Sequence, residues 1–573
     1  MFYFNISIMN KKIYLSLLVM ATVFGLASCS SKLKPLASNY IKAEPQPLEV
    51  VGGKVPVTIN ATFPEKWFNK NATVIVKPVL RYEGGEAWGT SYTFQGEKVA
   101  GNGQTIPQKA GANVTMTSSF DYVPDMIKSE LFLTFDAKIG NKTIQLPEIK
   151  IADGVLATAA FANALNEAAA IAPDKFQRII KEAYDANIMF LIQQAELRSG
   201  ELRKTELGDW KNTVKNANEA PNQKVDIEIS AYASPDGGLE LNEKLAVQRE
   251  KNTSKYLTAE MKKAKVDAPI NAKYTAQDWE GFKELVEKSK IQDKDLVLRT
   301  LSMYTDPEQR EQEIKNISSV FSALADEILP QLRRSRLTAN VEIIGKSDEE
   351  ISSLAVSNPK GLNIEEILYA ATLVKTNAEK EKIYTKTTEL YSKDARAFNN
   401  LGVIEFAKGN VAAADKFFSQ ASQVSGGKSA EANCNLAFIA LANNDKAKAS
   451  QLLGNASGVA ELNNALGLIA LMNGEYSKAA SSFGSTKSNN AALAQILSKD
   501  YNKASTTLNA VGAPNATTAY LKAVVAARTN NLKDVVSNLK EVGSKDKKML
   551  AKAASDVEFA KFASNAEFIN AIK

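Results

Sequence analysis

The sequence predicts a multidomain chain: an N-terminal all-β sandwich, a central α/β domain and a C-terminal all-α solenoid. Three observations predict it. Val55, Val57, Ile59, Ala61 and Phe63 alternate with more polar neighbours, the period-2 pattern of a half-buried strand. A β-α-β-α-β order with a late closing strand follows between about 183 and 347, which suits one layer of helices on a sheet. In the last third a small residue and a larger one four positions on recur: Ala414 with Phe418, Ala449 with Leu453, Ala479 with Phe483, and more weakly Ala504 with Leu508 and Val535 with Leu539. At 573 residues the chain is too long for a single core, and its 45% hydrophobic and 23% charged residues suit folded domains.

The N-terminus comes first in chain order. Lys11 and Lys12 precede "IYLSLLVMATVFGLA", an apolar run too short to span a bilayer as a mature helix, and this reads as a signal-peptide core over residues 1–28. The run ends in Leu26-Ala27-Ser28-Cys29, which resembles a bacterial lipobox. The resemblance implies cleavage before Cys29 and acylation of its thiol and new amine, so that the chain is anchored in a membrane rather than spanning it. A plain secretory signal with a chance cysteine is the alternative. Met9-Asn10-Lys11-Lys12 is the more natural start. The layout resembles lipoproteins of the Bacteroidetes type, in which an acidic stretch after the cysteine leads to the cell surface. Ser30 to Lys34 is basic instead, and the expectation is the periplasmic face of the outer membrane.

Residues 29–45 then read as a lipidated tether and 46–155 as the β-sandwich. "ATVIVKPVLRY" is a second strand. "SELFLTFDAKIGNKTIQLPEIKIADG" is a hairpin with Leu131, Leu133, Phe135 and Ala137 on one face and Gly140-Asn141 in the turn. Nothing in the sandwich marks a site, and a docking module is its default role. From Leu156 to Gln193 the period looks helical, predicting a helical linker over 156–182, with a short apolar stretch from Ile188. A helix to about Ala217, a strand from Val225 to Tyr232, a Ser-Pro-Asp-Gly-Gly turn, a helix from Leu239 to Ala264 and a strand in "APINAKY" follow. A charged, helix-rich stretch fills 276–335, and Thr338 to Gly345 closes the domain as a strand.

The third segment, 362–573, resembles the tetratricopeptide repeat family. Phe398-x-x-Leu401-Gly402 followed by Ala414-x-x-x-Phe418 fits its pattern, and Leu436-Ala437 and Leu466-Gly467 repeat the first half. From Ala414 the small residue steps by 35, 30, 25 and 31. Small residues let the two helices of a repeat approach, and the large one fills the groove between repeats. Glu405 stands where the family has a tyrosine, and the terminal proline is missing. Residues 362–392 read as a divergent first repeat and 558–573 as a cap. The resemblance implies a concave face that takes protein partners.

The central domain resembles the OmpA C-terminal-like family, whose members bind peptidoglycan. Leu241-Asn242, Leu245 and Arg249 keep the family's helix spacing, and Gly237 matches its turn glycine. In that family an aspartate at the strand end takes the ammonium of the diaminopimelate residue, and this arginine takes its carboxylate. Here the aspartate position holds Ser234, and the nearest carboxylate is Asp236. The family's closing Asn-Arg-Arg is altered to Thr338-Ala339-Asn340, with Arg333, Arg334 and Arg336 upstream. Ser234, Asp236, Asn242 and Arg249 are the candidate peptidoglycan-binding residues. Two readings stay open: Asp236 swings in and the wall is gripped weakly, or Arg249 pairs with a surface acid and the turn is empty.

The chain has no histidine, which excludes Ser-His-Asp and Cys-His systems and histidine-ligated metals. Of its two cysteines, Cys434 lies in an alanine-rich helical pattern and reads as a core residue. The net charge of +6 is too thinly spread for a nucleic-acid surface. Gly345-Lys346-Ser347 lacks the first glycine of a phosphate loop, since position 340 is Asn340. Neither a catalytic residue, a cofactor nor a metal is expected. The sequence thus points to a non-catalytic outer-membrane lipoprotein scaffold that links a protein complex to the envelope and to peptidoglycan. One alternative is an accessory subunit of an assembly or secretion complex with a degenerate OmpA-like domain; a glycan-acting enzyme is the other.

Overall fold

The structure, a computed structural model, describes residues 33–573, with the side chains of 318–320 left out. The predicted signal peptide and the lipidation site Cys29 lie outside the described residues. The chain divides into two compact units, one made of the residues up to Ala172 with Tyr391–Lys573, the other of Pro173–Leu390.

In the first unit, β1 (Ile41–Glu44), β2 (Leu48–Glu49), β3 (Lys54–Phe63), β4 (Ala72–Tyr82), β5 (Gly85–Trp88), β6 (Tyr92–Gly96), β7 (Gln104–Ile106), β8 (Ala112–Asp121), β9 (Ser129–Ile139), β10 (Lys142–Gln145), β11 (Ile149–Asp153) and β12 (Val155–Leu156) build the β domain. One sheet runs β1-β3-β8 and another β10-β9-β4-β6-β7, while β12 pairs in parallel with β2. The five alternating residues of β3 are all buried, as the pattern predicts, and Leu131, Leu133 and Ala137 join the same core. The expected tether is partly structured. Leu33 and Leu36 are buried, and β1 pairs with β3 through Ile41↔Ala61 and Ala43↔Ile59. Ile41 and Ala43 alternate with Lys42 and Glu44, which is enough for a short edge strand.

The second unit holds β13 (Ile179–Met189), α1 (Thr205–Glu219), β14 (Gln223–Tyr232), α2 (Leu239–Lys263), β15 (Ile270–Thr275), α3 (Trp279–Lys288), α4 (Lys294–Met303), α5 (Pro307–Asn316) and β16 (Arg334–Ile344). Its sheet order is β13-β16-β14-β15. Leu207, Trp210 and Val214 of α1 and Leu257 and Met261 of α2 pack on Ile188, Ile227, Ile229, Leu337 and Val341 of the sheet. The helices α3 to α5 and the helical turns up to Leu332 carry a core of their own around Phe282, Val286, Val297, Ile314 and Leu329. Three further helices, α6 (Asp348–Ser357), α7 (Ile364–Leu373) and α8 (Asn377–Leu390), complete this unit, so the expected divergent first repeat falls within it.

The predicted helical linker is a correction. Residues 156–182 contain no α-helix: short 3₁₀ turns at Thr158–Phe161 and Ala164–Asn166 lead through extended chain into β13. The sequence marks only a short apolar stretch from Ile188 here, whereas the first strand of the sheet starts at Ile179. Pairing with β16 from Ile179↔Ile344 to Met189↔Arg334 overrides the local pattern.

Back in the first unit, five helix hairpins follow: α9 (Ala395–Ala407) with α10 (Val411–Val424), α11 (Ala430–Ala442) with α12 (Lys446–Leu453), α13 (Leu462–Met472) with α14 (Tyr476–Phe483), α15 (Asn489–Leu497) with α16 (Tyr501–Asn509), and α17 (Ala516–Arg528) with α18 (Leu532–Lys545). All five predicted small–large pairs are buried. A residue at positive φ sits five positions before each small residue, at Gly409, Asn444, Gly474, Lys499 and Asn530, and turns each hairpin. Cys434 is buried in this core, and burial pushes its thiol up to about 12. No helix among the described residues is long and apolar enough to cross a membrane.

Candidate functional site

Two places in the fold gather polar side chains for a purpose: the turn after β14 and the inner groove of the hairpins.

The turn leaves β14 at Tyr232 and enters α2 at Leu239, with Gly237 at φ +110°, a conformation that suits glycine. The structure brings Ser234, Asp236 and Asn242 together. Asn242 Nδ2 donates to Gly237 O at 3.0 Å, as does Gln277 Nε2 at 3.2 Å. Arg333 donates through Nη2 to Asp236 Oδ2 at 3.1 Å and through Nε to Ser234 Oγ at 3.3 Å. The second Asp236 oxygen, Oδ1, is buried without a hydrogen bond among the described residues. Gly237 N, the backbone donor that opens such a turn to an anion, donates to Glu311 Oε1 of α5 at 2.6 Å. The cavity beside it, lined by Pro235, Asp236, Trp279 and Glu311 among others, is only about 20 Å³, room for about one water.

Arg249 is placed differently from either reading of the sequence. Its residue is 1% exposed. It donates from Nε to Gln194 O at 2.9 Å, from Nη1 to Tyr232 O at 2.8 Å and from Nη2 to Leu191 O at 3.3 Å, with its guanidinium over the Phe190 ring. Burial, with the nearby Arg333, lowers its pKa to about 10. Among the described residues it forms no ion pair with an acid; it ties the segment after β13 to the end of β14. The spacing of α2 explains the burial: Asn242, Ala246, Arg249, Thr253 and Leu257 form one buried stripe. The sequence reading noticed Arg333 without its role and missed Glu311, whose partner lies in a distant segment that no local pattern marks.

The groove is the second place, and the chain itself fills it. Residues 158–172 run along the inner helices as a strap of two 3₁₀ turns and extended chain, from the last hairpin towards the first. Thr158 Oγ1 donates to Glu558, which is bound by Arg528 with Nε at 3.0 Å from Oε2. Asn490 of α15 accepts from Asn163 N at 3.0 Å and donates to Asn163 O at 2.7 Å. Asn435 of α11 accepts from Ala170 N at 2.7 Å and donates to Ala170 O at 2.8 Å. Asn400 of α9 does the same for Ala172, at 2.8 and 2.9 Å. Each asparagine amide thus replaces a neighbouring strand for one residue of extended backbone, whose own N–H and C=O point to the same side. The buried Glu167 accepts from Ser488 Oγ and Asn490 Nδ2, both at 2.8 Å. Burial raises its carboxyl to about 7 although both donors oppose the shift. The expected partner surface is therefore occupied in this molecule. A signal was present in the sequence: Asn400, Asn435 and Asn490 each precede the small residue of their own repeat by fourteen positions.

No family profile matches the chain, and no curated protein matches it. Among solved structures it is similar to a tetratricopeptide repeat protein from Parabacteroides merdae ATCC 43184, at 12% identity and TM-score 0.27, covering 35% of this chain and 85% of that one. It is also similar to Pseudomonas aeruginosa PilF, at 16% identity and TM-score 0.26, covering 38% and 98%. Yeast Tom70 matches at 11% identity and TM-score 0.25, covering 64% and 82%. The tetratricopeptide-like architecture stands on the five hairpins and their buried pairs.

Proposed function

We propose that the chain is a non-catalytic scaffold of the bacterial envelope, an accessory subunit of an outer-membrane assembly or secretion complex. Cys29 carries the lipid that anchors it to the outer membrane on the periplasmic face. The OmpA-like part is a spacer that does not grip peptidoglycan, and the tetratricopeptide-like repeats serve contacts with protein. The observation that carries this reading is the state of the turn. A stem peptide needs a free guanidinium and a free backbone donor, whereas Arg249 is committed to three carbonyls and Gly237 N to Glu311. Opening the turn would leave those buried groups unpaired, at about 1–3 kcal/mol each.

Co-sedimentation with purified sacculi tests the wall. The full chain is expected to stay in the supernatant at moderate salt. Pelleting that Arg249→Lys abolishes would restore the wall-binding reading instead. Palmitate labelling tests the anchor: label on the wild type and none on Cys29→Ser is expected, and an unlabelled wild type sinks it.

A further inference from the structure

The strap is held in a way that separates what the groove recognises from what merely passes through it. Three repeats place an asparagine at one register, and each uses both ends of its amide on one residue of backbone. A second amide, Asn399 Nδ2, reaches Ala170 O at 2.9 Å, and Asn435 Nδ2 links to Asn399 Oδ1. Backbone recognition of this kind ignores sequence, so selectivity must come from the side chains that point inward. Ala164, Ala170 and Ala172 are buried, and Glu167 is buried on Ser488 and Asn490. Between them Ile171 is 59% exposed and unread.

An asparagine recurring at one register in the first, second and fourth hairpins, with Ala465 and Leu521 in its place in the third and fifth, suits a surface that reads extended backbone. We propose that the groove is a peptide-binding site whose resident occupant is the chain's own strap, and that a partner protein displaces it with an extended segment of the form Glu-x-x-Ala-x-Ala. This rests on the scaffold reading and names the chemistry of its partner. The strap is tethered at both ends, so a competitor works against an effective concentration on the order of millimolar. The site is closed to weak ligands and open to a segment supplied at high local concentration or with a second contact.

The test titrates a fluorescein-labelled peptide of residues 158–174 into the full chain. The double variant Ala170→Asp, Ala172→Asp puts carboxylates at two buried positions of the strap and frees the groove. It is expected to take the peptide at least about tenfold more tightly than the wild type does. Adding Asn435→Ala removes that gain, and a peptide carrying Glu167→Lys fails to bind. The wild type gives a reading that does not need the variant to fold: excess peptide accelerates hydrogen exchange at the Ala170 and Ala172 amides. Unchanged protection at millimolar peptide overturns the proposal, as does a folded double variant that takes no peptide. Concentration-dependent dimers that exclude the peptide overturn it too, because the occupant would then be the strap of a second copy. Failure here leaves palmitate labelling and sacculus sedimentation unaffected, so the scaffold reading fails or stands separately.

Discussion

Arg249 places a charge where a core residue would sit, and three carbonyls hold it there. Arg249→Ala leaves those oxygens without donors, and the expected loss is about 3 kcal/mol after partial solvation. Arg249→Lys recovers only part, because one ammonium does not span the fork that a guanidinium fills. Urea unfolding followed by Trp210 fluorescence measures both; an unshifted midpoint for Arg249→Ala contradicts the assignment. Glu167 makes the opposite kind of prediction, one of pH. Its carboxyl lies at about 7 when docked, against an ordinary value of 4.5 when free. Below about pH 4.5 both states hold the proton and docking is tightest. As the pH rises towards 7 the free strap has lost a proton that the docked strap keeps, so docking weakens by about 3 kcal/mol and then levels off. Glu167→Gln retains an acceptor for Ser488 and Asn490 and is expected to abolish the slope. Hydrogen exchange at the Ala170 amide across this range decides it.

At the scale of elements, the repeat hairpins are built on close contact that glycine permits. A Cβ on Gly402 would meet the Phe418 ring at 2.5 Å, and one on Gly467 would meet the Phe483 ring at 3.0 Å. Gly402→Ala therefore costs about 1–3 kcal/mol through overpacking, and Gly467→Ala costs less because a small ring shift relieves it. Thermal unfolding of the two variants should rank them in that order. These glycines were readable in the sequence because the small–large pair is local to one repeat. So were β3, β14 and α2, whose period or flanking turn is contained in a dozen residues. The strap was not. "TAAFANALNEAAAIA" has the composition of a good helix, and its helical reading follows from propensity alone. What keeps it extended is the groove, whose asparagines take the N–H and C=O groups that a helix would pair internally. The candidate turn was legible in part for the same reason. Ser234, Asp236 and Asn242 lie together in sequence, whereas Glu311 arrives from a helix whose placement depends on its own core.

At the scale of the whole molecule, the first unit is discontinuous: the chain leaves it after Ala172 and returns at Tyr391. The β domain and the hairpins are then joined by contacts rather than by sequence. Tyr476 Oη donates to Val50 O at 3.1 Å, Gly154 lies against Val557, and Thr158 donates to Glu558. Arg528 in turn holds Glu558 in place for the last of these, as an ion pair within the helical part whose side chains are 14% and 4% exposed. Removing one partner strands the other charge in a dry setting, at about 3–5 kcal/mol. If the two parts fold as one, that loss must be felt in the β domain, far along the sequence. The expectation is that Trp67 fluorescence, reporting on the β domain in a variant where Trp88, Trp210 and Trp279 are replaced by phenylalanine, loses its signal at the same urea concentration as the helical circular dichroism of the hairpins. Arg528→Met should move both midpoints down together. A Trp67 transition that stays in place while the helical one moves would show that the β domain is stable without the hairpins, and that the strap merely connects two independent bodies.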